Sequence, residues 1–430
     1  MRGGLAGARA APHPFDRWLN APDAAPDAVA LSGGGDSVAL LHLAKAWADG
    51  AGRRLVALTV DHQLQEASAA WAAWCRDRAE RLGVAHETLT WRGAKPRTGM
   101  AAAARTARHS LVAEAARAAG ADVVLMGHTQ DDCLEAAAMR AQGTRISAPS
   151  VFAPSPVWPA GRGIFLLRPL LQVRRTAIRD ALTHAGEHWI EDPANVDMRQ
   201  PRARARAGLK DDQATVSAED PDIGPLFEAL KFGVAGDIKL PIKALARSSP
   251  DAARAIISAA LVCGGGGDRP ARRERLGRLM ALIAAGDPFV ATLAGARLSL
   301  ADGRLAIARE IRDRRKYATF EAALPKARPL VWDGRFEILA HQPGLRVQPL
   351  AGLASRLEPG SRSNLRKVPS EARGGLPAIV DEAGKVNCPT LAPLAGIEVL
   401  CLVKARMAGA CGMITDEASI RRVAESDAAS

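Results

Sequence analysis

The sequence predicts a doubly wound α/β domain at the head of a longer chain, and three observations carry that reading. Short β-rich runs alternate with helical stretches from residue 28 to about 190, a glycine-rich loop closes the first run, and a polar, acidic loop closes the fourth. Alternation of this kind builds a mostly parallel sheet with helices on both faces. Ligands bind such sheets beyond the carboxyl ends of the strands, where both loops fall.

The expected strands are Ala28 to Leu31, Leu55 to Val60, His86 to Thr90, Val123 to Met126 and Ile164 to Leu167. Between them, Ser37 to Asp49, Glu66 to Leu82, Met100 to Ala119, Asp131 to Gln142 and Arg174 to Ala185 have helical patterning. Residues 208–224 are polar and contain proline, which suits a linker. The chain to about 310 then reads as Ala/Leu/Arg-rich helices interrupted at Gly264 to Gly267. From about Pro325, Leu330 to Trp332, Phe336 to Leu339, Leu345 to Pro349, Ala378 to Asp381 and Glu398 to Lys404 have strand-like composition. The resulting division is a disordered start at 1–24, a nucleotide-binding catalytic domain at 25–210, a helical middle module at 211–320 and a small α+β C-terminal domain at 321–430.

Composition narrows the function classes. At 430 residues the chain is too long for one ordinary core, and 48% hydrophobic with 24% charged residues is a globular composition. A net charge of +12, carried mainly by arginine, suits a phosphate-rich partner, with nucleic acid first. Aromatics at 4% give little support to a single-strand stacking platform, so a basic surface that tracks the backbone is the better reading. Six scattered cysteines without a C-x-x-C pair read as reduced thiols of a cytoplasmic protein. No apolar stretch has the ~20 residues of a membrane span, so no membrane partner is expected.

The chemistry concentrates in five segments. Ser32-Gly33-Gly34-Gly35-Asp36-Ser37 reads as a pyrophosphate-binding loop, because bare glycines let backbone N–H groups crowd an anion at a helix N-terminus. The Gly-Lys-Ser/Thr ending of a γ-phosphate loop is missing, and Asp36 stands where a magnesium ion is needed. Both point to cleavage between the α- and β-phosphates of ATP, with adenylation of a substrate. Val60-Asp61-His62 closes the second strand, where Asp61 or His62 borders the ribose. Gly127-His128-Thr129-Gln130-Asp131-Asp132-Cys133-Leu134-Glu135 closes the fourth. Asp131 or Asp132 can cap the following helix, yet three carboxylates exceed what a cap needs; they either coordinate magnesium with Asp36 or bind and deprotonate an amine. Arg105 and Arg108, at i and i+3, suit a phosphate or carboxylate. Last, Glu191-Asp192-Pro193-Ala194-Asn195-Val196-Asp197 runs into Arg199, Arg202, Arg204 and Arg206, an arginine cluster that suits RNA phosphates.

In order along the chain, these five segments resemble the tRNA(Ile)-lysidine synthetase family of pyrophosphate-loop ATPases. The likeness covers roughly residues 25–210 and is weaker beyond, where Arg373 and Leu376-Pro377 before an Asp-Glu-Ala-Gly turn resemble that family's C-terminal domain. The resemblance implies an adenine nucleotide α hydrolase-like fold and a ligase that forms a carbon–nitrogen bond. ATP adenylates C2 of the wobble cytidine, position 34, in the CAU anticodon of tRNA(Ile), and the ε-amine of free L-lysine displaces AMP. It also implies ATP and Mg2+ as cofactors and tRNA contact by the C-terminal domain; a homodimer is left open. Ser32, Gly33, Gly34, Gly35, Asp36, Ser37, Asp61, His62 and His128 are then expected to bind nucleotide. Asp36 and Asp132 are expected to hold the metal, and Asp36, Asp132, Glu135 and Arg105 to serve catalysis. Arg105, Arg108, Asp131, Asp132, Glu135, Arg202, Arg204 and Arg206 are expected to bind substrates. The chain departs from the family where His-His, Gln, Thr, Tyr or Asn is common: Thr129, Cys133, Ala136, His109, Gln200 and Ala203 stand there, which leaves local hydrogen-bond roles open. The rival expectations are a pyrophosphate-loop tRNA 2-thiolase and a catalytically silent protein that binds tRNA or ATP.

Overall fold

The computed structural model describes residues 13–21, 25–142, 149–192, 201–208, 221–311 and 320–428. The chain divides into two units, residues 1–218 with 415–421, and residues 219–414 with 422–430.

The first unit is built on a six-stranded sheet. Its elements are β1 (Asp27–Ala30), α1 (Gly35–Ala51), β2 (Leu55–Asp61), α2 (Ser68–Arg81), β3 (Ala85–Thr90), α3 (Met100–Ala118), β4 (Val123–Leu125), α4 (Gln130–Ala141), β5 (Phe152–Pro154), β6 (Phe165–Leu167), α5 (Arg175–His184) and α6 (Pro201–Ala207). The strand order is β3-β2-β1-β4-β6-β5, with parallel pairing throughout except for β5, which runs antiparallel on β6. This is the doubly wound arrangement expected from the alternation. The order reverses between β1 and β4, so the loops after these two strands flank the crevice where such sheets bind ligands.

Burial explains the strand sequences. β4 and β6 are buried at every residue, as apolar runs in a parallel sheet should be, whereas edge strand β3 alternates. Val112, Ala113 and Ala116 of α3 pack on Ala28, Leu58, Val124 and Leu166. Because strand side chains alternate, Val29, Leu125 and Leu167 face the other way, and α1 packs there on β1 and β2 and against α5. The periodic residues Val38, Leu41, Ala44 and Ala48 are all buried, as their spacing predicts. β5 is an addition to the five expected strands; Phe152 stacks on Phe165 with ring centroids 5.2 Å apart.

Residues 13–21 differ from the expected disordered start: Phe15 and Leu19 are buried, and Trp47 donates from its indole N–H to Asp16 at 2.8 Å. The same edge receives Glu417. Its carboxylate takes both terminal nitrogens of Arg53, at 2.7 and 3.1 Å, and the Ala21 N–H at 3.1 Å.

In the second unit the residues read as a helical module instead hold a five-stranded antiparallel sheet, built from Lys231–Phe232, Ile238–Pro241, Phe289–Leu293, Ala296–Ala301 and Arg304–Arg309. Helices Pro250–Gly264 and Arg273–Ala285 share its core. The strands are rich in Ala, Arg and Leu, which favour helix, but Leu298, Leu300, Leu305 and Ile307 alternate inward on a tertiary surface that overrides propensity. Four- and three-stranded antiparallel sheets follow, containing Arg346–Pro349 with Pro377–Val380, and Leu330–Trp332 with Phe336–Ala340 and Ile397–Cys401. Glu398 to Lys404, expected as one strand, ends as a strand at Cys401, and a helix begins at Val403.

Candidate active site

The loop after β1 runs directly into a helix. α1 begins at Gly35, two residues before the expected start, with Gly34 as a cap that has no side chain to offer. The Ser37 N–H donates to the Gly34 carbonyl at 3.0 Å, and no cap side chain competes with an anion for the Gly35 and Asp36 N–H groups before it. Ser37 ties the loop together: its Oγ donates to the Gly34 carbonyl at 2.8 Å and accepts from the Ser32 N–H and hydroxyl, each at 3.2 Å. Gly33 sits at φ +82°, and a Cβ there would lie 2.5 Å from Ile190 Cδ1. Ile190 donates its N–H to the Gly33 carbonyl at 2.9 Å, and the Trp189 ring lies against Gly35. Residues 189 and 190 thus wall the phosphate loop, a role their sequence did not signal.

The second loop is pressed onto the first. A Cβ at Gly127 would lie 3.0 Å from the Asp36 carbonyl oxygen and 3.1 Å from the Ser37 nitrogen, so any larger residue would have to push this backbone contact apart by a few tenths of an ångström. The contact brings the start of α4 beside Asp36. Thr129 caps α4, and Asp132 closes a capping box, accepting from the Thr129 N–H at 2.8 Å and hydroxyl at 3.0 Å. The cap is thus Thr129, at a position where the resembling family often carries histidine, and Asp132 supports it from the third position. Asp131 turns to α5, accepting the Arg175 N–H at 2.7 Å and pairing with Arg174 at 3.2 Å.

Arg175 is the centre of the cluster and was read from the sequence only as part of a helix. Its Nε lies 2.9 Å from Asp36, its Nη1 3.2 Å from Glu135 and its Nη2 3.4 Å from Asp132. Glu135 is wholly buried and also accepts from Arg206 Nε at 2.7 Å, across the contact of α6 with α4. Burial raises the Asp36 pKa, Arg175 opposes this, and Asp132 adds to it. Burial works against the Arg175 charge, but Asp36, Asp132 and Glu135 outweigh it and hold its pKa above the usual arginine value. Among the described residues no three acidic, imidazole or thiol side chains are grouped as a metal cage. Two carboxylates flanking a seat that accepts a guanidinium do suit magnesium, which takes one or two carboxylates and completes its shell with phosphates and water.

The remaining expected residues spread around this centre. Asp61 accepts the Gln63 N–H at 2.9 Å, and His62 sits edge-on to Trp91 with centroids 5.9 Å apart. Burial and then Arg108 lower the His62 pKa to about 4, so it is neutral at pH 7. Arg105 and Arg108 are exposed on α3; with burial, their charges drive buried His109 down to about 3. His128 is half-buried behind β4, and Arg204 is exposed on α6 while Ala203 and Ala205 pack inward. The Arg202 side chain and residues 193–200, with Asn195, Asp197 and Arg199, lie outside the described residues. Arg168 is a further buried cation that sequence reading passed over, donating to the Ser150 carbonyl at 2.7 Å.

Comparison with known proteins places this geometry. A PP-loop domain model matches residues 13–212. The chain is 43% identical over 409 residues to tRNA(Ile)-lysidine synthase of Caulobacter vibrioides, covering 94% of this chain and 97% of that one. The chain belongs to the tRNA(Ile)-lysidine synthase family. The enzyme of that name from Brucella ovis is 36% identical over 330 residues, 72% of each chain. Among solved structures, the U34-tRNA thiolase NcsA from Methanococcus maripaludis aligns with TM-score 0.38 and 14% identity, over 45% of this chain and 69% of that one. In this lysidine synthase family member no disulfide joins any of the six cysteines. Burial pushes Cys75 up to about 11, the Thr59 hydroxyl opposing, and raises Cys133.

Proposed function

We propose that this chain is a tRNA-modifying ligase that joins lysine to C2 of the wobble cytidine in the CAU anticodon of tRNA(Ile), at the expense of ATP. It works in the cytoplasm, where tRNA, ATP and lysine meet. The observation that carries the reading is the backbone contact of Gly127 on Asp36 and Ser37, which joins a phosphate loop to an acidic cluster in one crevice.

The phosphate loop, residues 32–37, holds the triphosphate of ATP through main-chain N–H groups, with Asp61 or neutral His62 bordering the ribose. Asp36 and Asp132 would hold Mg2+, which neutralises charge developing on the departing pyrophosphate. The cytosine O2 attacks the α-phosphorus, and the bond to the β-phosphate oxygen breaks. The ε-amine of lysine then forms its bond to C2, and AMP leaves with the oxygen. A lysine ammonium, with a pKa near ~10.4, attacks only after losing a proton, and in this reading Glu135 and Asp132 would receive the ammonium and take that proton. Arg105, Arg108 and Arg204 are exposed, which suits RNA phosphate. Sulfur transfer is opposed by the lack of a C-x-x-C pair in the sequence and by the burial that raises the Cys75 thiol.

The test is pyrophosphate release from ATP on addition of an unmodified tRNA(Ile) transcript with a CAU anticodon. Release that requires the transcript, and is lost in Asp36→Ala, supports adenylation through the loop. Full release in Asp36→Ala removes Asp36 from that role.

A further inference from the structure

Arg175 places one guanidinium against three carboxylates that the proposed chemistry requires for other cations. Its contacts are Asp36 at 2.9 Å, Glu135 at 3.2 Å and Asp132 at 3.4 Å. An ammonium or a divalent ion seated on these oxygens competes with it for the same lone pairs and is repelled by its charge. The arginine backbone cannot follow its side chain away, because it opens α5 and its N–H is fixed on Asp131 at 2.7 Å. The side chain alone can leave, and it already touches the phosphate loop through Asp36. A guanidinium exchanges carboxylate for phosphate readily, since both match its planar fork.

We propose that Arg175 is a displaceable counter-cation, which fills the acidic seat when no nucleotide is present and turns to the triphosphate when ATP binds, so that nucleotide binding opens the lysine site. This rests on the acidic cluster being the lysine and metal seat. It makes Arg175 a positioning residue that sets the order of addition, ATP before lysine.

The experiment measures retention of labelled lysine by equilibrium dialysis, with and without a non-hydrolysable ATP analogue, for the wild type, Arg175→Gln and Arg175→Lys. Nucleotide-free Mn2+ binding, followed by electron paramagnetic resonance, is measured in parallel. The wild type binds lysine more tightly with the analogue, on the order of tenfold. Arg175→Gln binds it without nucleotide about as tightly as the wild type does with it, binds Mn2+ more tightly, and gains little from the analogue. Arg175→Lys keeps the charge but loses the fork, so its gain is intermediate; should Arg175→Gln not fold, this variant decides, a gain supporting the proposal and none overturning it. Weak nucleotide-free lysine binding with full enhancement in Arg175→Gln overturns the proposal. If no form retains lysine, the lysine seat itself is wrong, and Mn2+ judges Arg175 alone: tighter binding in Arg175→Gln supports displacement, unchanged binding refutes it.

Discussion

Replacing Asp27 by asparagine removes a specific pH dependence from the stability of the catalytic unit. Asp27 opens β1 with no exposed surface, 3.0 Å from Arg53 Nη2, and the equally buried Glu417 takes the same guanidinium at 2.7 Å. One cation serves two carboxylates removed from water. Burial raises the Asp27 pKa from 3.8 to about 7, with Arg53 opposing and Glu417 adding. Folding therefore takes up a proton between these values, and the contribution of Asp27 to stability is present at low pH and lost as pH rises through about 7. At 1.36 kcal/mol for each pKa unit, the whole window is worth about 4 kcal/mol, of which about 3 kcal/mol falls between pH 5 and pH 8. His62 and His109 have lowered pKa values and act in the opposite direction, so the informative quantity is wild type minus Asp27→Asn. Urea unfolding of the full chain, followed by tryptophan fluorescence at pH 5, 6, 7 and 8, measures it. The difference should shrink by about 3 kcal/mol from pH 5 to pH 8, because the variant keeps the volume without the charge. A difference constant to within about 0.5 kcal/mol refutes the shared-cation reasoning.

Three further predictions concern the site. Gly127→Ala forces a methyl group against the Asp36 carbonyl at 3.0 Å and the Ser37 amide at 3.1 Å, neither of which is a flexible side chain. Calorimetry should show ATP affinity falling on the order of tenfold with an unchanged far-UV circular dichroism spectrum. Glu135→Gln leaves the guanidiniums of Arg175 and Arg206 facing a buried amide, which costs about 3 kcal/mol of stability. The folded fraction should still release pyrophosphate but fail to incorporate lysine, and equal loss of both steps would remove Glu135 from the second one. Arg202→Ala with Arg204→Ala should weaken tRNA binding and reduce its log–log salt slope by roughly 1.5 to 2, and an unchanged slope takes that segment out of the RNA interface.

Much of the first unit was legible because its signals are local and periodic. Val38, Leu41, Ala44 and Ala48 marked one helix face, and uninterrupted apolar runs marked strands buried on both sides. The phosphate loop was legible for the same reason, since its glycines are contiguous. Arg175 was not, because three of its partners lie 40 to 139 residues away in sequence and meet it only through strand order. Trp189 and Ile190 were hidden likewise, as apolar residues that any core could use. The sheet of the second unit was masked by helix-favouring Ala, Arg and Leu, although Asp302-Gly303, both at positive φ between two paired strands, is a hairpin signal present in the sequence. Thr129 as cap and Asp132 as its partner show how a carboxylate expected to serve catalysis also serves local structure.

The central claim is the chemistry at one base. Purified protein with ATP, magnesium and radiolabelled lysine is incubated with an unmodified tRNA(Ile) transcript bearing CAU, beside a tRNA(Met) transcript with the same anticodon. The account predicts stable label in the isoleucine transcript alone, located to the wobble cytidine by nucleoside analysis, with AMP and pyrophosphate formed in equal amounts. Pyrophosphate without label would keep the adenylating fold and contradict lysine as the nucleophile; label in both transcripts, or at another base, would contradict the assigned substrate.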